Sequence, residues 1–106
     1  MLIRREAFEQ VGGFDERFFL FWEDADLCWR LRDRGWSVWY CTRARVMHRV
    51  GQSVRTNLPR SIVEFHRSAY RWYIKHRAPS LWNPMRWIAA TGLSLRAMLH
   101  LLLGRM

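Results

Sequence analysis

Acidic side chains nearly vanish after position 35. Residues 36–106 hold Glu64 alone against twelve basic residues, whereas residues 1–35 hold eight acids against six arginines. Lysine is scarcer still, with Lys75 the only one among 18 basic residues. The net charge of +9 therefore sits in the second half and suits polyanions: nucleic acid, anionic lipid headgroups or phosphorylated substrates. The bland alternative is a solvated basic face. Cysteine is limited to Cys28 and Cys41, both in apolar company and without Cys-x-x-Cys spacing. That speaks against a disulfide frame or a thiolate zinc site and predicts two buried core thiols in a reducing compartment. The start, MLIRREAFEQ, lacks the apolar stretch of a signal peptide. Internal repeats and low-complexity segments are absent. At 106 residues the chain is one small domain or part of one.

What is present is concentrated in Gly12 to Trp36. There Glu23, Asp24 and Asp26 follow the wholly apolar run Phe18 to Trp22. A carboxylate at the edge of an apolar wall is costly unless it is paired, hydrogen-bonded or facing a metal. Such acids point to a site. Around them, Ala7, Phe8 and Val11 recur at helical spacing and predict a short helix over 4–11, stopped by Gly12-Gly13. Residues 14–17 read as a turn. Asp24 is placed to cap a helix reaching about Arg34, with Leu27, Cys28 and Leu31 on one face and Arg30, Asp33 and Arg34 toward water. Gly35 ends it. The β-branched and aromatic run Ser37–Cys41 predicts a strand, and Arg45–His48 a second. Trp29, Trp36 and Trp39 are expected in the core.

From Pro59 the pattern turns helical. Ile62, Phe65, His66, Ala69, Tyr70, Tyr73 and Ile74 share a face over about five turns, with Arg60, Arg67, Arg71 and Lys75 elsewhere on the wheel. Ala78-Pro79-Ser80 and Asn83-Pro84 break it. Trp87 to Leu103 forms a last apolar helix interrupted by Arg96 and His100, shorter than the roughly 20 apolar residues a membrane span needs. It reads as a helix lying in a membrane interface, with Trp82, Arg86, Trp87 and Arg105 at headgroup depth, or as one packed on protein.

The run REAFEQVGGFDERFFLFWEDADLCWRLRDRGWSVWYCTRARVMHRVGQS closely resembles the C-terminal part of the catalytic domain of family 2 glycosyltransferases. The nearest likeness is to the bacterial rhamnosyltransferase-like branch that builds cell-surface polysaccharide. The resemblance rests on an ordered set: the VGGFDE turn, FF-x(3)-ED-x-DL, an RG-W break, and a strand ending in histidine. It covers about half the chain, over residues 1–55.

The resemblance implies an α/β fold of the GT-A class: two short strands with helices, then two long C-terminal helices. Residues 1–56 would be the acceptor-side catalytic segment and 57–106 a basic helical tail. It implies inverting transfer of a sugar from a nucleotide-sugar donor to a hydroxyl of a glycan or lipid-linked acceptor. Asp24 matches the general base. Glu23 and Asp26 match its flanking acids, acceptor-orienting or structural, and Phe21 and Trp22 belong to an aromatic acceptor wall. His48 matches a histidine that helps hold a divalent cation, manganese or magnesium. A carboxylate within hydrogen-bond reach can take the acceptor proton. An imidazole at a strand end suits a divalent metal beside carboxylates. Beside these stand plainer readings: a helix cap for Asp24, and an ordinary half-buried imidazole for His48.

One departure is an absence. The family's metal-binding Asp-x-Asp has no counterpart beyond Asp24-Ala25-Asp26, and no glycine-rich turn cradles a diphosphate. The chain therefore reads as a C-terminal piece, expected to be inactive and poorly soluble without a nucleotide-binding half, with which it would pair as a separate partner. The expected location is cytoplasmic, peripheral at the inner face of the membrane. The competing reading is a small basic membrane-surface or nucleic-acid-binding protein. Nucleic acid is disfavoured because no helix-turn-helix or RNA-binding signature appears.

Overall fold

The computed structural model describes residues 1–47 and 57–104. Its regular elements are four helices: α1 (Arg5–Gln10), α2 (Glu23–Asp33), α3 (Leu58–His76) and α4 (Pro84–Leu103). Among the described residues there is no strand, so the α/β expectation is overturned. Residues 36–47 are irregular apart from a turn at Thr42–Arg43. The residue types there fit a pleated, half-buried surface, but a strand exists only in a ladder with a partner. None is present among the described residues, and Trp39, Tyr40 and Val46 stand 86%, 91% and 84% exposed. Trp39 is thus not a core residue, and Cys41 is exposed as well. His48 and Arg105 lie outside the described residues.

α1 is too short to persist alone. It is held by packing: Ala7 is buried with Leu27 and Leu31 of α2, and Ile3, Phe8, Val11 and Trp36 close around them. The Trp36 indole N–H donates to Gln10 Oε1 at 2.6 Å, tying the chain after α2 back to α1. Between the two helices, Gly12 and Gly13 take φ of +76° and +73°. At Gly13 a Cβ would also sit 3.3 Å from the Phe8 ring, so the turn needs glycine twice over.

α3 opens with Pro59 in its first turn, as the sequence predicts, whereas α4 opens at Pro84, ahead of the expected Trp87, because Asn83-Pro84 starts a helix here and does not only end one. Asn57 accepts from the Arg60 N–H, and Asn83 from the Met85 N–H at 3.0 Å, each with a proline in the first turn. Gly104 closes α4 at a φ of +60°. The two helices pack on each other, with Val63, His66 and Tyr70 facing Ala90, Leu93 and Ala97 across a shallow groove. α3 in turn carries the segment before α2: Ser68 is fully buried and donates to the Leu20 carbonyl at 2.9 Å. By contrast, α4 buries none of its residues.

Candidate active site

The acids behind the apolar run are sorted by the fold into two kinds. Asp26 is wholly buried and has both oxygens engaged. Arg30 Nε donates to Oδ2 at 2.7 Å; Lys75 Nζ and His76 Nε2 meet Oδ1 at 2.6 and 2.7 Å. Lys75 also reaches Asp15 Oδ2 at 2.7 Å, and Arg17 grips Asp15 through Nε and Nη2. Arg30 goes on to donate to the carbonyls of Val11 and Gly13, each at 2.7 Å. It therefore faces the glycine turn, not water as its sequence position suggested. One cluster thus ties α2, the turn after α1 and the C-terminal end of α3 together.

The ionisation of this cluster follows from its contacts. Burial pushes the Asp26 carboxyl up, but the hydrogen bonds from Lys75, His76 and Arg30 together bring it below the ordinary carboxylate range. For Asp15 the Arg17 hydrogen bond dominates; burial opposes it and Lys75 adds to it, leaving the carboxyl well below the usual range. Both acids are charged and spoken for.

Asp24 is of the other kind. It is exposed, Oδ1 accepts the Ala25 N–H at 2.7 Å, and among the described residues Oδ2 has no partner. It lies in the first turn of α2, whose cap is Trp22, so Asp24 is not the helix cap. Its carboxylate lines a hollow of about 270 Å³ with Phe21, Trp22, Glu23, Ala25 and Phe65. Phe21 and Trp22 reach this place through φ of +66° and +69°. Two consecutive bulky aromatic residues in the left-handed region are strained, and such strain collects at functional sites.

The strain is held by packing on α3. The Phe21 ring meets Phe65 edge-on at 5.5 Å, and Trp22 lies 5.9 Å from Phe65 and 5.8 Å from Trp72. Trp29 and His76 continue the aromatic ladder to Asp26. Two of the lining residues carry buried polar atoms, the Trp22 Nε1 donor and the Glu23 Oε2 acceptor, that have no partner among the described residues. Unspent polar atoms of both kinds beside aromatic faces suit a polyol, whose hydroxyls donate and accept while its C–H faces stack on rings. A larger hollow of about 590 Å³, between residues 1–4 and 36–39, holds no carboxylate.

The structure thus gathers Phe21, Trp22, Glu23 and Asp24 at one place and sets Asp26 behind them, with no surface to offer a ligand. Phe65 and Lys75 were read only as parts of a helix, and His76 was not singled out. The one sequence signal for Lys75 was its singularity, since a buried carboxylate must find a cation. Among the described residues no three His, Cys, Asp or Glu side chains are arranged to hold a metal ion. The described residues therefore do not fit a divalent cation, and His48 lies outside them.

Comparison with known proteins identifies the family. Residues 1–75 match the family model for "Glycosyltransferase like family 2". The chain is 39% identical over 98 residues to an N-acetylglucosaminyl-diphospho-decaprenol L-rhamnosyltransferase of Mycobacterium tuberculosis, covering 92% of this chain and 32% of that protein. It is 33% identical over 75 residues to the rhamnosyltransferase WbbL of Escherichia coli, covering 71% of this chain and 25% of that one. An O-antigen biosynthesis protein, RfbC of Myxococcus xanthus, is 33% identical over 97 residues, 91% of this chain and 8% of its own. The chain spans about a third or less of these relatives' length. No solved structure matches it. The matched segment runs from α1 through the strained aromatic turn and Asp24 to Lys75, and on that ground the chain belongs to the family 2 glycosyltransferases, with rhamnosyltransferases among its relatives.

Proposed function

We propose that the chain forms the acceptor side of a sugar transferase that moves a glycosyl group from a nucleotide-sugar to an acceptor hydroxyl with inversion. The observation that carries this is Asp24: an exposed carboxylate with one oxygen anchored to backbone and the other unpartnered among the described residues, in an aromatic hollow. In this reading the free Oδ2 takes the proton as the acceptor hydroxyl attacks, and Phe21, Trp22, Phe65 and Glu23 hold the acceptor sugar. Asp26 acts at one remove, by fixing α2 against α3 so that Asp24 stays aimed.

The acceptor we favour is a sugar on a lipid diphosphate, as in the name of the mycobacterial relative, and the setting cell-surface polysaccharide synthesis. Since the chain covers 32% of that relative, the donor-binding half is supplied in cis or in trans for the test. Transfer of radiolabelled rhamnose from its nucleotide donor is measured with Asp24→Asn. The expected loss in kcat is about 10²–10⁴-fold, the contribution of one general base, with folding unchanged. Retention of more than about a third of the rate would remove Asp24 from this role.

We also infer that α4 rests on an anionic membrane at the cytoplasmic face. No described helix is long and apolar enough to cross a membrane. Yet Ile88, Leu95, Leu99 and Leu102 stand exposed on α4, with Trp82 and Trp87 at its start and a basic half-chain around it. Co-sedimentation with vesicles of phosphatidylcholine and phosphatidylglycerol checks this. Absence of binding at low salt would defeat it.

A further inference from the structure

About 9–15 Å along α3 from Phe65, at the helical rise, lies a second hollow of about 280 Å³. Arg17, Arg71 and Lys75 ring it, and its remaining walls are Phe18 and Ile74. Three cations around one small, partly apolar space repel one another unless something offsets them. Asp15 and Asp26 do so only in part: these two carboxylates serve Arg17, Arg30 and Lys75, and among the described residues Arg71 has no carboxylate partner.

The three side chains are nevertheless fixed. Arg17 is gripped by both Asp15 oxygens at 2.6–3.1 Å. Lys75 is pinned between Asp15 and Asp26 and stands 5.6 Å from the centre of the Phe18 ring. Arg71 donates one Nη to the Arg17 carbonyl. Each keeps donors in hand: the second Nη of Arg17, the rest of the Arg71 fork, and the third hydrogen of Lys75. Held cations with spare donors and an uncompensated charge are a site for a phosphate group, whose oxygens the guanidinium fork matches.

We propose that this hollow binds the phosphate or diphosphate of a lipid-borne ligand. Two sources share that chemistry: the diphosphate of a lipid-linked acceptor, a choice that rests on the transfer reading above, and the headgroup of an anionic phospholipid.

Calorimetric titration of the chain with inorganic pyrophosphate and then inorganic phosphate tests the site. Pyrophosphate is expected to bind, and Arg71→Gln to weaken it by about 10–100-fold, the weight of one charge-assisted hydrogen bond. Arg71→Lys, which keeps the charge and loses the fork, is expected to fall between. Arg67→Gln, on the same helix but exposed and only 3.8 Å from Glu64, is expected to leave binding unchanged. Circular dichroism confirms that each variant folds. No binding by the unaltered chain, or an equal loss in Arg67→Gln, overturns the site in favour of diffuse charge.

The source is read from preference and competition. Pyrophosphate bound more tightly than phosphate, without effect on vesicle binding, assigns the acceptor diphosphate. Equal affinities, with pyrophosphate releasing the chain from phosphatidylglycerol vesicles, assign the headgroup. Either result upholds the site. The titration needs neither donor nor acceptor sugar, so its failure leaves the Asp24 assay standing, and the reverse holds equally.

Discussion

Two neighbouring glycines separate a conformational demand from a packing demand. Gly12 and Gly13 share left-handed φ values, but a Cβ on Gly12 would meet open space, while one on Gly13 would press on the Phe8 ring at 3.3 Å. Phe8 has little room to yield, because it packs on the Ala7–Leu27–Leu31 core and edge-on to Phe14 at 5.6 Å. The Gly13 carbonyl also accepts from Arg30, so a shift there disturbs the acid cluster. Gly12→Ala is expected to cost about 1 kcal/mol and Gly13→Ala about 2–3 kcal/mol. Urea midpoints of the two variants check this. Equal losses would show that the Phe8 contact carries no weight.

At the scale of elements, the Asp15–Asp26 cluster joins α2 to α3 and makes their union depend on pH. Both carboxyls are held below their ordinary values in the folded chain. The unfolded chain therefore binds more protons in acid, and the stability these acids supply is fully present above the unfolded value of about 3.9. It is lost as pH falls below that toward the folded values. The urea midpoint is expected to be flat from about pH 7 to 5 and to drop below about pH 4. Asp26→Asn leaves Arg30 without its charge partner, Lys75 with Asp15 alone and the His76 contact without its carboxylate, and is expected to cost about 3–5 kcal/mol at pH 7 and to flatten the acid limb. A midpoint that ignored pH in the unaltered chain would remove the cluster as the clasp.

The same clasp shows what a sequence displays and what it hides. α3 and α4 were legible from periodicity, and the start of α3 from Pro59, because those signals are local; Asn83-Pro84 was read as a break, and it caps α4 instead. The contiguous half of the hollow, Phe21 to Asp24, was legible as a motif for the same reason. Asp26 meets Lys75 and His76 from 49 and 50 residues away, and no spacing rule connects positions so far apart. The true start of α2 was hidden by two aromatic residues at positive φ, a conformation that propensity argues against and packing on Phe65 and Trp72 imposes. The strands misled because their residue types describe an environment that residues 36–47 do not have here.

For the molecule as a whole, the surface is too large for its mass. The accessible area is 8991 Å², against about 6,300 Å² expected for a folded monomer of 12.9 kDa. The radius of gyration, 15.9 Å, likewise exceeds the roughly 13 Å of a compact domain of this length. Large apolar side chains stand exposed on this surface, many of them on α4. Its two sides make opposite predictions. Leu99 is 53% exposed, so Leu99→Glu is expected to change stability by no more than about 0.5 kcal/mol. If that face enters a bilayer, the variant forfeits about 1.5–3 kcal/mol of leucine burial and gains a charge repelled by anionic lipid, a loss of at least about tenfold in vesicle affinity. Ala97 faces α3 across the groove, so Ala97→Glu is expected to lower the melting temperature by several degrees, because it places a carboxylate between two packed helices. Thermal melts and vesicle co-sedimentation of the pair separate the faces. A Leu99→Glu variant that melted as early as Ala97→Glu would place Leu99 against protein. One that bound vesicles as tightly as the unaltered chain would take the membrane away from this helix.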